Sequence, residues 1–198
     1  MWGEYALIIA AGYLLGSFPS AYVTSRLLAG KDITVTGSGN IGGMNTFRNV
    51  GWLPGVLTGL MDAGKGALAA AAARALAGPG PGGLAVAMFT LVAAVLGHNY
   101  MLYLGFRGGK GLGTSLGGML VLWPAGVIFL ILAMGVGIAL LRDGNAGSGA
   151  GVLSWPFILW FHGHSLVWLA FGLALAAVIV SRHLKDFQAY ARGRRQVV

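Results

Sequence analysis

The 198-residue chain is 57% hydrophobic and only 9% charged, with a mean hydropathy of +0.77. A soluble domain of this size cannot hide so much apolar surface, so the composition excludes one and points to an integral membrane protein. The net charge of +8 then speaks for cytoplasmic loops and anionic lipid rather than nucleic acid, and the absence of cysteine excludes disulfides, thiolate nucleophiles and Cys-based metal sites.

The apolar runs are long and continuous, which predicts helices and not the short alternating strands of a barrel. The first covers residues 5–29, interrupted at Gly16-Ser17 and Pro19. It lacks the basic start and cleavage site of a secretory signal and so predicts a mature span. A polar stretch over 31–51 follows, then a second run, Trp52–Leu76, with Asp62 and Lys65 inside it. The sequence GPGPGG at 78–83 predicts a turn outside any helix. A third run over 84–96 leads directly into GHNYMLYLGFRGGKG at 97–111. Leu112–Leu122 and residues 125–141, separated by Trp123-Pro124, predict a helical hairpin, and 142–151 predicts a polar, Gly-rich loop. Residues 152–161 and 166–181 flank His-Gly-His-Ser, and a basic tail begins at Arg182. The expected fold is an all-α integral membrane protein of about seven transmembrane helices, some short, with Gly-rich cytoplasmic loops and a single polytopic domain over 1–198. Placing the loops at 30–51, 105–111 and 142–151 and the tail on one side puts almost every Lys and Arg there. The positive-inside rule makes that side cytoplasmic.

Four polar stretches then carry the candidate chemistry. GSGNIGGMNTFR at 37–48 contains G-x-G-x-x-G, but it lies between two spans with no βαβ unit, so a dinucleotide fingerprint is rejected. Ser38, Asn40, Asn45 and Arg48 give it more hydrogen-bonding groups than a turn needs. In the second stretch, Gly108, Gly109 and Gly111 let backbone N–H groups approach a ligand, while Arg107 and Lys110 add charge where a phosphate would sit. It is not a Walker A loop, because Gly111 follows Lys110 where a magnesium-binding hydroxyl would stand. His98 has two readings, a satisfied structural histidine or a direct ligand. Asn145 and Ser148 mark the third stretch, and Arg182-His183-Leu184-Lys185-Asp186 the fourth. Asp62 and Lys65 share a helical face as a mutually neutralising pair that positions the first loop. His162 and His164 lack a third ligand, so no metal is expected.

Together these motifs resemble the bacterial membrane glycerol-3-phosphate acyltransferase family that uses acyl-phosphate as donor. GSGN-x-G-x-x-N-x-x-R is matched at Gly37, Ser38, Gly39, Asn40, Gly42, Asn45 and Arg48. GH…F-K/R-GGKG is matched at Gly97, His98, Phe106, Arg107, Gly108, Gly109, Lys110 and Gly111. The resemblance implies a phospholipid-biosynthetic enzyme at the cytoplasmic face of the bacterial inner membrane, without cofactor. It would acylate the 1-hydroxyl of sn-glycerol 3-phosphate to give lysophosphatidic acid, with an enzyme supplying acyl-phosphate as partner. It further implies that Lys110 and Arg48 hold phosphates and that Ser38, Asn45, Ser148 and His183 orient the acceptor. Lys110, Arg48, Ser38 and His183 are the expected catalytic set. Asn40, Asn45, Gly97, His98, Arg107, Gly108, Gly109, Gly111, Ser148 and Asp186 are the expected substrate-binding set. The chain departs from the family at Met44 and Met101, at Asn145 in place of serine, and at Asp186 in place of asparagine. Asp186 either faces an anionic acceptor and repels it, or is neutralised by Lys185 and Arg182 or turned to water. Two rival readings are a small organic-phosphate transporter and an inactive paralogue that binds glycerol phosphate. A transporter site belongs near the midplane and its fold often repeats, whereas these motifs share one side and no repeat is visible.

Overall fold

The structure, a computed structural model, describes residues 2–194. Ten α-helices are present among them: α1 (Trp2–Gly16), α2 (Ser20–Ala29), α3 (Gly43–Asn49), α4 (Trp52–Leu76), α5 (Pro81–Asn99), α6 (Leu112–Leu122), α7 (Pro124–Leu141), α8 (Gly144–Leu153), α9 (Trp155–Phe161) and α10 (Leu166–Ala191). No strand occurs among the described residues. Among the described residues, four segments are long and apolar enough to cross a membrane: Trp2–Ala29, Pro81–Leu104, Pro124–Leu141 and Leu166–Ala191. The expected count of about seven takes in segments that fall short of this measure for a physical reason. Leu112–Leu122 and α9 are short, and α4 carries Asp62, Lys65 and Arg74 along its 25 residues. The surfaces suit lipid: on α7, Leu132, Val136 and Leu140 are 60%, 57% and 76% exposed.

Several boundaries differ from expectation. The GPGPGG stretch is not wholly a turn, because α5 starts at Pro81, where proline's missing N–H is no loss in a first turn. The third polar stretch is mostly the helix α8 rather than a loop. Asp143 accepts hydrogen bonds from the Asn145 and Ala146 amides at 2.9 and 2.8 Å and so caps its start. The end of the first stretch is also helical, as α3. The last helix runs on to Ala191, so the basic stretch from Arg182 begins as helix.

The chain divides into two compact units, residues up to 122 and from 123 onward. In the first, α4 packs against α1, α2, α3, α5 and α6, and α1 lies along α5. Gly66 and Gly117 bring α4 and α6 together at backbone distance: a Cβ at Gly66 would overlap the Thr114 carbonyl, and one at Gly117 the Ala63 carbonyl. Such close approach of small residues is how helices gain packing where lipid removes the hydrophobic drive. Gly66→Val is therefore expected to destabilise the protein by about 1–3 kcal/mol through overpacking. Thermal unfolding followed by tryptophan fluorescence measures it, and an unchanged midpoint would mean that α4 and α6 can separate freely.

In the second unit, α8 packs against α7 and α10, and α9 against α10. Aromatic rings gather at one end of it. The Trp123 ring lies 4.5 Å from His164, the Phe129 ring 4.6 Å from His162, and the Trp168 ring 4.7 Å from His164. Burial lowers the His164 pKa, and the neighbouring His162 lowers it further. Ring packing thus accounts for this histidine pair, and no cluster of three metal-ligating side chains exists among the described residues.

Candidate active site

In the first unit the two Gly-rich stretches meet. The first is built around two side chains. Asp32 accepts the Thr34 hydroxyl at 2.7 Å and the Thr34 amide at 2.9 Å through one oxygen, and pairs with Arg26 at 2.7 Å through the other. The Thr34 bonds, with Arg26 nearby, hold its carboxyl below the usual carboxylate range. That sign makes the tether complete above the unfolded carboxylate pKa of about 3.9, and it is lost as pH falls through the folded value. Asn45, 6% exposed, donates to the carbonyls of Thr36 and Asn40 at 3.0 and 2.9 Å and accepts from the Ser38 amide at 3.1 Å. Its carboxamide therefore organises the loop. Ser38 and Arg48 remain exposed, with Arg48 in the last turn of α3, and Asn40 is half-buried.

The second stretch folds back over the end of α5. A short 3-10 turn, Leu102–Leu104, precedes Gly105 and Phe106, both in the left-handed region at φ +59° and +61°. The Phe106 amide donates to the Met101 carbonyl at 2.8 Å. Exposed Arg107 donates to the Thr34 carbonyl at 2.6 Å and ties the two stretches together. Gly108 and Gly109 are buried. The Gly109 amide donates to the His98 carbonyl at 3.0 Å. A Cβ at Gly108 would overlap the His98 carbonyl, and one at Gly109 would overlap the His98 ring and come within 2.6 Å of the Ile41 carbonyl. Lys110 is half-buried, followed by Gly111 at φ +84°.

His98 itself is 3% exposed, on the last turn of α5. Its Nδ1 lies 3.4 Å from Asp62 Oδ1, and the same oxygen is 2.9 Å from Lys65 Nζ. Gly97 sits in the α1–α5 contact, where a Cβ would overlap the Tyr13 carbonyl. The pairing of Asp62 with Lys65 agrees with the expectation from sequence. Its extension to His98 is not legible there, because the two residues lie on different helices. Asp32 also escapes a reading of the sequence for chemistry, although D-x-T is a local signal for a side chain that caps its own turn.

In the second unit, α8 and α10 bring the third and fourth stretches together. Ser148, 7% exposed, donates to the Asn145 carbonyl at 3.1 Å. The next residue, Gly149, faces His183: a Cβ there would lie 2.9 Å from the imidazole Cγ. His183 is fully buried, with Nδ1 2.9 Å from the Ile179 carbonyl. A carbonyl only accepts, so the proton sits on Nδ1 and Nε2 keeps its lone pair when the ring is neutral. Asp186, half-buried, follows one turn later on α10.

Each unit thus carries polar groups suited to an anion, the first with cations and backbone amides, the second with a hydroxyl and an imidazole. Comparison with known proteins gives the same pattern a family. The family model described as glycerol-3-phosphate acyltransferase matches residues 6–193. Glycerol-3-phosphate acyltransferase 1 of Dehalococcoides mccartyi is 38% identical, covering 94% of this chain and 93% of that protein. The glycerol-3-phosphate acyltransferase of Anaeromyxobacter dehalogenans is 36% identical, covering 98% and 96%. The crystal structure of PlsY, an integral membrane glycerol 3-phosphate acyltransferase, in its glycerol 3-phosphate form superposes with a TM-score of 0.86 at 30% identity, covering 98% of this chain and 95% of that one. Its lysophosphatidic acid form gives 0.83 at 29% identity. The matches run through both units rather than through one motif, and the chain belongs to the glycerol-3-phosphate acyltransferase family.

Proposed function

We propose that this membrane enzyme acylates the 1-hydroxyl of sn-glycerol 3-phosphate in phospholipid synthesis, with acyl-phosphate as donor and lysophosphatidic acid as product. Family membership supports the acceptor and the reaction class. PlsY, crystallised in glycerol 3-phosphate and lysophosphatidic acid forms, supports the same acceptor and product. The chemistry of the donor suits this chain. Acyl-phosphate is a mixed anhydride whose carbonyl is already activated, so no acyl-enzyme is required of a chain without cysteine. The hydroxyl oxygen bonds to the acyl carbon, the bond from that carbon to the phosphate oxygen breaks, and the hydroxyl proton ends on phosphate.

The observation that carries this reading is the joining of two Gly-rich stretches by Arg107, with Lys110 beside buried glycines. On it, Lys110 and Arg48 hold phosphate oxygens, and loop amides beside Gly109, whose own N–H is spent on the His98 carbonyl, meet charge developing on the carbonyl or the departing phosphate. Ser38, Asn40 and Arg107 contact substrate, while Asn45 and Gly97 shape the ground beneath them and His98 supports the loop. Ser148, His183 and Asp186 act on the acceptor. The reaction runs at the cytoplasmic face of the bacterial inner membrane in a single polytopic domain. An enzyme that makes acyl-phosphate supplies the donor. Radiolabelled transfer by the purified protein, with acyl-phosphate and acyl-coenzyme A compared as donors, tests this. Product from acyl-coenzyme A alone would overturn the donor, and binding of glycerol 3-phosphate without turnover would make the chain a silent homologue.

Asp186 supplies a second test. A carboxylate near a dianionic acceptor raises its KM, so Asp186→Asn is expected to lower the KM for glycerol 3-phosphate by about fivefold at low salt. The gain should shrink at high salt, where the charges are screened. An unchanged KM at both salt concentrations would place the Asp186 side chain away from the acceptor.

A further inference from the structure

Asp62 and Lys65 are 4% and 5% exposed, one turn apart on α4. Burying two charges carries a penalty of several kcal/mol per ion, which persists in a fold only when both ions find further partners. Here the partners lie on other elements. Lys65 Nζ donates to the Phe18 carbonyl at 3.0 Å, at the break between α1 and α2. Asp62 Oδ1 faces Nδ1 of His98 on α5 at 3.4 Å. The far edge of that imidazole forms the seat of Gly109, whose amide is bonded to the His98 carbonyl. A Cβ at Gly113, at the start of α6, would come within 3.3 Å of Asp62 Cβ, so Asp62 also faces the helix that leaves the loop.

We propose that Asp62, supported by Lys65, is a positioning residue for the Lys110 loop: it fixes the His98 ring, the ring fixes Gly109, and the Lys110 ammonium is thereby aimed at the donor phosphate. The inference rests on the acyltransferase reading of Lys110 and deepens it. A pair serving only to join helices would not need to reach the imidazole on which the loop rests. An error of about 1 Å at a group that meets transition-state charge lowers a rate by about 10²-fold, so such a support has a measurable duty.

The test uses the purified full chain with Asp62→Leu and Lys65→Met together. Replacing a buried ion pair by apolar groups of similar volume is often neutral for folding, which leaves the loop as the variable. Three readouts are taken: the thermal midpoint by tryptophan fluorescence, hydrogen exchange over residues 106–111, and kcat/KM for acyl-phosphate. The expected result is a near-native midpoint, amide exchange faster by about tenfold and kcat/KM lower by about 10²-fold. Placed on Lys110→Ala, the same pair of changes should lower the remaining activity by less than about twofold, because the two act through one group. A folded variant with native exchange, or a loss that adds in full to that of Lys110→Ala, overturns the proposal. If the double variant does not fold, His98→Leu takes its place, since it keeps the ion pair and cuts its link to the loop. Faster exchange with the same loss of kcat/KM is then expected, and native exchange overturns the proposal as before. A wild-type protein without acyl transfer would defeat the enzymatic reading instead, and loop exchange alone would then decide this one.

Discussion

Lys110→Ala is expected to lower acyl transfer by about 10²–10³-fold while leaving folded yield and thermal midpoint close to those of the parent. The loop around it is held by backbone contacts and by the Arg107 side chain. Gly109 donates to the His98 carbonyl, its neighbour Gly108 packs on that same carbonyl, and Arg107 holds the Thr34 carbonyl. None of these contacts uses the Lys110 side chain, which is half-buried beside them. The ammonium is a compact point charge suited to phosphate oxygens whose charge grows as the acyl–oxygen bond breaks. Its loss therefore falls on the transition state more than on the fold. Steady-state kcat/KM for acyl-phosphate, read beside circular dichroism of the same preparation, checks both halves. Near-parental turnover would reduce Lys110 to an interfacial anchor.

The legible part of this molecule is its periodicity and its chemistry. Long apolar runs mark α1, α5, α7 and α10 because nothing within them competes with a lipid-facing helix. The polar loops stand out because Gly, Asn, Ser and Arg have no reason to accumulate between spans unless backbone and charge are being used. The polar helices are harder. Residues 142–151 hold four glycines and read as coil, yet α8 forms there because Asp143 caps it and close packing on α7 and α10 rewards small residues. The continuation of α10 past Arg182 is hidden by charge, which marks a membrane border more than a helix end. His98 is ambiguous for a different reason. Its partner Asp62 lies on another helix, and no local spacing encodes a contact set by tertiary packing. The same holds for Gly149 against His183.

Gly109→Ala is expected to cost about 10²-fold in turnover, and Gly105→Ala almost none, although Gly105 has the stricter backbone. Gly105 lies in the left-handed region, where an alanine loses about 1–2 kcal/mol, but no atom stands within 4 Å of a Cβ there. The strain is local and leaves Lys110 where it was. At Gly109 the backbone is ordinary and the obstacle is space, since a methyl group would overlap the His98 ring and press on the Ile41 carbonyl. The ring cannot swing aside without leaving Asp62, and the Ile41 carbonyl belongs to the other Gly-rich stretch. The loop itself must then lift, carrying Lys110 away from the phosphate. Measuring kcat/KM and thermal midpoint for both variants separates the two mechanisms. Gly105→Ala should lose stability and keep activity, whereas Gly109→Ala should lose activity beyond what its midpoint explains. Equal activity losses would mean that freedom of the loop backbone, and not its seat on the imidazole, sets the position of the cation.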